Sequence, residues 1–188
     1  IRKYINLMCG ILGIASKREQ FEESAVIGLR DLMFHRGPDN GGLWLSENRN
    51  IALAHRRLAI IDLNEESNQP FNDQYTNNKI VFNGEIYNFV ELRTELEELG
   101  YSFRTSSDTE VILKAYDAWG LNCLDKLLGM FSFCIFDDSK KEFFIARDRA
   151  GEKPLFYSLT DETFIFSSEL KPIIAYGYSD LNLDSLDC

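Results

Sequence analysis

The chain has 188 residues, enough for one domain, or for one domain with a short appendage, at about 150 residues per domain. Twenty Lys and Arg against thirty Asp and Glu leave a formal charge of −10, which excludes a basic surface that tracks phosphates and hence a nucleic-acid partner. A composition 45% hydrophobic and 13% aromatic supports a packed core without disulfide staples and excludes wholesale disorder.

No stretch approaches the roughly 18 consecutive apolar residues of a membrane helix, so no membrane partner is expected. The first seven residues, Ile1 to Leu7, contain Arg2 and Lys3 but no apolar segment long enough for secretion. Cys9, Cys123, Cys134 and Cys188 form no CxxC pair, and His35 and His55 are the only histidines. That spacing gives no structural zinc site, so no metal is expected, and reduced thiols in a cytoplasmic protein are the expectation.

In chain order, CGILGIAS (9–16) reads as an N-terminal strand. Glu22 to Phe34 reads as a helix, with Val26, Leu29, Leu32 and Met33 at helical spacing, stopped by Gly37 and Pro38. Strands are expected over Gly42–Leu45 and Ile51–Ile61, joined by the turn formers of 46–50. Lys79–Phe82 and Glu85–Tyr87 flank Asn83-Gly84, which by itself is a strong hairpin signal. Asn88 with Glu91 three residues on resembles a capping box, opening a helix with Leu92, Leu96 and Leu99 on one face and Gly100 at its end. A further helix spans Asp108–Trp119, and strands are expected at Met130–Phe136, Glu142–Arg147, Leu155–Ser158 and Thr163–Ser168. A short helix, Glu169–Tyr176, tolerates Pro172 in its first turn. Antiparallel hairpins covered by helices define an α+β class, and periodicity leaves open one sheet or two stacked ones.

Taken alone, Cys9 is a core cysteine in an apolar strand. It follows Met8, however, the first methionine and a candidate initiator. Removing Met8 would give Cys9 an α-amine of pKa about 7.7 to 8.0, able to accept the thiol proton without a histidine. Asn83 and Gly84 offer a side-chain amide and a backbone N–H, the two donors that an oxyanion hole requires. Arg57 can clamp a carboxylate and Asp108 can accept from an ammonium, although singly they read as a surface charge and a helix cap.

Nine blocks carry a resemblance: MCGILGIA (8–15), HRGPD (35–39), AHRRLAIIDL (54–63), QPF (69–71), FNGEIYNF (82–89), SDTEVIL (107–113), LLGMFSFCIFD (127–137), ARDRAGEKPLFY (146–157) and FSSELK (166–171). In this order the chain resembles the class II glutamine amidotransferase domain of glutamine-hydrolysing asparagine synthetases. The resemblance implies the N-terminal-nucleophile hydrolase fold, a four-layer α-β-β-α sandwich of two antiparallel sheets. It implies that Cys9 attacks the side-chain amide carbon of glutamine, that Asn83 and Gly84 stabilise the tetrahedral oxyanion, and that water hydrolyses the resulting thioester to glutamate. Arg57 would hold the substrate α-carboxylate, Asp108 and Glu85 its α-amino group, and the backbone around Ile60 and Ile61 would line the pocket. This domain would use no cofactor. ATP and magnesium would serve only a C-terminal synthetase domain, the expected partner for the released ammonia, and a homodimer is among the assemblies the resemblance allows.

Within that pattern, residues 1–8 are expected to be a leader or initiator segment, 9–177 the glutaminase domain, and 178–188 the start of a connector. The Ser-Gly-Gly-x-Asp-Ser pyrophosphate loop of the synthetase domain does not occur, so the chain reads as the glutaminase half of a longer product. Glu152 in the GEKP block resembles relatives in surface-polysaccharide clusters, whose acceptor need not be aspartate. With residues 1–8 retained, Cys9 would be blocked and the domain a silent scaffold.

Overall fold

The computed structural model describes residues 8–58 and 68–177. The expectations for the leader, for the connector from 178, and for Ile60 and Ile61 lie outside the described residues, apart from Met8, while the strand expected over Ile51–Ile61 already ends at Arg57.

Among the described residues, nine strands form two antiparallel sheets. The first sheet takes β1 (Gly10–Ser16), β2 (Asn40–Leu45), β3 (Ile51–Arg57), β8 (Phe156–Leu159) and β9 (Thr163–Ser167), in the order β2-β3-β1-β9-β8. The second takes β4 (Phe71–Asn72), β5 (Lys79–Ile86), β6 (Gly129–Asp137) and β7 (Glu142–Arg147), in the order β4-β5-β6-β7. Helices α1 (Glu23–Asp31) and α4 (Leu170–Gly177) cover the outer face of the first sheet, and α2 (Phe89–Glu98) and α3 (Asp108–Trp119) that of the second. This is the expected four-layer α-β-β-α sandwich.

The layers follow from period-2 alternation, because each strand must bury both faces. In β5, Ile80 and Phe82 pack under α2 and α3, while Val81 faces the other sheet. In β1, Leu12 and Ile14 meet the α1–α4 layer, while Ile11 joins Leu53, Val81, Cys134, Phe136 and Phe166 between the sheets. Gly13 shares that inner face, and a Cβ there would sit 2.2 Å from the Phe166 ring. Only glycine lets the ring seat against β1. Cys9, Cys123 and Cys134 are free thiols.

Asn83-Gly84 makes no turn. It lies within β5, continuous from Lys79 to Ile86 and paired in register with β6, Asn83 opposite Ser132 and Gly84 opposite Phe131. The hairpin signal is overridden by packing, since a Cβ at Gly84 would meet the Met130 carbonyl at 2.2 Å. Asn88 stands before α2 without capping it by its side chain. Its amide instead donates to Lys126 O and accepts from Leu128 N–H, tying the loop before β6. Leu99 lies beyond α2 and is exposed, and α1 ends at Asp31, which leaves Leu32 exposed and Met33 buried in a following turn.

Candidate active site

The candidate residues gather at one end of the space between the sheets. On β1 and β3, Gly10 pairs with Arg56 and Ile11 with His55, so Cys9 falls beside Arg57 at the strand ends. Alternation turns His55 and Arg57 inward with Leu53 and turns Arg56 outward. Arg56 is buried among structural partners: it donates to Gly37 O at 2.9 Å, approaches Asp31 Oδ1 at 3.3 Å and covers the Phe34 ring. Arg57 is half-buried and donates to Asn68 Oδ1. The alternation thus separates an arginine facing the space between the sheets from a packing one.

Cys9 Sγ accepts from Leu58 N–H at 3.4 Å and lies 3.7 Å from Leu58 O. Its carbonyl accepts from Arg36 Nε at 3.0 Å, and Arg36 in turn reaches Glu169 at 3.5 Å. Burial pushes the thiol up, against the opposing pull of the Leu58 N–H and the cations Arg57, Arg36 and Lys153. A thiol held protonated in this way needs a base before it can attack.

The candidate oxyanion donors follow from the edges of β5. Backbone groups of successive residues alternate between the two edges of a strand. Phe82 N–H donates to Gln69 Oε1 at 2.6 Å, and Ile86 N–H to Asp108 Oδ2 at 3.1 Å, both away from β6. Tyr87 N–H turns to Leu128 O on the β6 side. Gly84, between Phe82 and Ile86, therefore aims its N–H at the same open edge, beyond the two residues of β4. The Asn83 side chain points inward, 2% exposed, and its Nδ2 has no hydrogen-bond partner among the described residues. Buried amide donors are rarely left in that condition.

Asp108 is the first residue of α3, whose N-cap is Ser107, accepting from Glu110 N–H. The helix cap expected of Asp108 is thus supplied one residue earlier, and the Asp108 carboxylate is turned to the open edge of β5. Burial raises its pKa to about 6, with the like charge of Glu85 adding to the rise and the Ile86 N–H opposing it. Glu85 is half-buried. The structure therefore brings Cys9 and Arg57 together at one sheet, and Asn83, Gly84 and Glu85 together on the other with Asp108 of α3 beside them.

Arg36, His55, Gln69 and Lys153 received no role from the sequence. Their blocks (HRGPD, AHRR, QPF, GEKP) were visible, but each acts through a contact more than ten residues away. Among the described residues no cluster of His, Cys, Asp and Glu could hold a metal ion.

A cysteine at the head of a strand, with an Asn-Gly pair on the opposed sheet of a four-layer sandwich, marks the class of the N-terminal-nucleophile amidotransferases. The chain belongs to the glutamine amidotransferase domain family, whose model matches residues 8–187. It is 39% identical over 176 residues to asparagine synthetase [glutamine-hydrolyzing] 3 of Bacillus subtilis, covering 90% of this chain and 28% of the relative. It is 38% identical over 170 residues to asparagine synthetase B [glutamine-hydrolyzing] of Escherichia coli, covering 89% and 30%. Among solved structures, glutamine phosphoribosylpyrophosphate amidotransferase from B. subtilis, complexed with ADP and GMP, superposes with a TM-score of 0.70 at 26% identity, over 88% of this chain and 43% of that one. The chain spans about a third of the length of these curated relatives.

Proposed function

We propose that this domain hydrolyses glutamine to glutamate and ammonia through a thioester on Cys9. The observation that carries the reading is the buried, unpartnered Asn83 Nδ2 beside the open-edge Gly84 N–H. Two such donors fit a negative oxygen that forms only during reaction. The sulfur adds to the amide carbon, and charge builds on the oxygen facing Asn83 and Gly84. The thiol proton passes to the α-amine of Cys9, in a chain that begins there, and then to the departing nitrogen as the C–N bond breaks. Water adds to the thioester and releases glutamate. Arg57 takes the substrate α-carboxylate, while Asp108 and Glu85 take its α-ammonium.

The names of the relatives support a wider reading, in which the ammonia serves ATP-dependent asparagine synthesis in a C-terminal synthetase domain that binds the ATP and magnesium. Assembly as a homodimer belongs to this wider reading. A cytoplasmic setting suits a mechanism that needs its cysteine reduced. No helix among the described residues is long and apolar enough to cross a membrane. The test is glutamate release by a chain starting at Cys9, with Cys9→Ala expected to fall to background while keeping its circular dichroism. Sustained release by Cys9→Ala would remove the nucleophile from this scheme.

A further inference from the structure

The nucleophile and the oxyanion donors stand on different sheets, and nothing in the chemistry keeps those sheets in step. The contacts between them near the site are largely apolar, through Ile11, Leu53 and Val81. Apolar packing resists separation but is non-directional and resists sliding poorly. A misplacement of about 1 Å between reacting groups costs on the order of a hundredfold in rate.

His55 crosses that gap. It lies on β3 opposite Ile11 of β1, two positions inward from Cys9 and Arg57. Its Nε2 is 3.2 Å from the carbonyl of Phe82, the residue before Asn83 on β5. A carbonyl only accepts, so Nε2 carries the hydrogen and Nδ1 is left as a bare acceptor. The ring is 1% exposed, and Nδ1 has no hydrogen-bond partner among the described residues. Burial, reinforced by Arg57 and Arg56 and opposed by the Phe82 carbonyl, pushes its pKa down to about 3, so the imidazole is neutral. An apolar residue of similar volume would fill the space without orphaning a buried nitrogen, which argues that packing alone did not select histidine. The Phe82 N–H is held as well, by Gln69 Oε1, and Gln69 Nε2 donates onward to Thr109 Oγ1 beside Asp108.

We propose that His55 is a positioning residue whose Nε2–H bond to the Phe82 carbonyl locks β5 in step with β1 and β3, so that the Asn83 and Gly84 donors meet the oxyanion formed on Cys9. This rests on the glutaminase reading above and adds to it the element that aligns the two half-sites.

The experiment compares wild type, His55→Leu, His55→Gln, His55→Asn, Asn83→Ala and the His55→Leu/Asn83→Ala double variant, each in the full chain beginning at Cys9. Loss of alignment lowers kcat for glutamate release by about tenfold to a hundredfold in His55→Leu, with KM for glutamine within about twofold. Gln places an amide N–H at the reach of Nε2 and recovers most of kcat, whereas the shorter Asn does not. That polar pair keeps the test open even if the leucine variant fails to fold. The double variant is no slower than Asn83→Ala alone, because the histidine acts through the same hole. Additive losses, equal impairment of Gln and Asn, or a defect confined to KM would each overturn the role of His55. A wild-type chain releasing no glutamate would overturn the glutaminase reading first, and this inference with it.

Discussion

The two ends of the space between the sheets are built on one alternation and put it to opposite uses. At one end the inward residues are Trp44, Phe136, Phe143, Phe164 and Phe166, in edge and tilted ring contacts with centroids 5.3 to 6.2 Å apart. Followed toward the other end, the same inner faces turn polar: Leu53 gives way to His55 and Arg57, Val81 to Asn83 and Glu85, Cys134 to Ser132. There Asn83 Nδ2, His55 Nδ1 and Ser132 Oγ are all buried without hydrogen-bond partners among the described residues. The aromatic end holds the sheets together, and the polar end forgoes that stability for polar groups that the proposed function puts to use.

The sharpest break in this comparison comes at Cys9. A chain carrying residues 1–8 holds the Cys9 nitrogen in a peptide bond, which is not a base at any working pH. It is expected to show only background release of ammonia, against full activity for a chain whose first residue, checked by mass, is Cys9. Equal activity of the two forms would exclude the α-amine as the base.

Next in size is the contrast between the two ends themselves. Asn83→Ala should lower kcat about a hundredfold with a smaller change in KM, because one oxyanion donor is worth roughly 3 kcal/mol. Phe166→Ala should cost about 3 to 5 kcal/mol of stability in denaturant unfolding, while activity per folded molecule is largely kept. If Asn83→Ala weakened glutamine binding alone, or if Phe166→Ala lowered kcat without loss of stability, the division between the ends would not hold.

A finer cut separates adjacent arginines. Arg57→Ala is expected to raise KM for glutamine with kcat little changed, since it touches ground and transition states alike. Arg56→Ala, losing its bonds to Gly37 and Asp31, should lower stability and leave KM near that of the parent. Steady-state kinetics and thermal unfolding on both variants settle which face each side chain serves.

The smallest effect is a pH dependence. Asp108 titrates at about 6 in the folded domain, above its ordinary value of 3.8, chiefly because it is buried. A folded value raised in this way contributes stability that is fully present below about 4 and lost as pH rises through 6. Binding of an ammonium runs the other way, because it requires the carboxylate. KM for glutamine should therefore rise as pH falls through 6, by up to about tenfold per unit, and Asp108→Asn should bind weakly with a flat profile over that range. A KM independent of pH in the parent chain would remove Asp108 from the ammonium site.

Local pattern was enough for elements whose burial and chemistry agree. The Asp108–Trp119 helix and the Glu142–Arg147 strand stand where the sequence places them, because spacing, stop signals and packing coincide. Asn83-Gly84 shows the limit. Its turn propensity is local, while its strand geometry is set by Met130 and Phe131, far along the chain. Asn88 likewise reads as a cap, yet its amide is taken by the loop around Lys126 and Leu128. For the candidate site, residue types identified Cys9, Arg57, Asn83, Gly84 and Asp108 as suitable chemistry. His55 and Gln69 escaped because their partners are backbone atoms of Phe82, which a sequence does not mark as acceptor or donor.

The grip of Arg36 on the Cys9 carbonyl has a mechanical meaning. That carbonyl, the strand pairing from Gly10 onward and the contacts of Sγ with Leu58 all lie on the C-terminal side of the Met8–Cys9 bond. On its other side, the sulfur of Met8 is touched by Lys153. A maturation cut at that bond would free an amine while the residue bearing it stays moored, so the catalyst would be switched on by trimming, with no refolding of the strand that carries it.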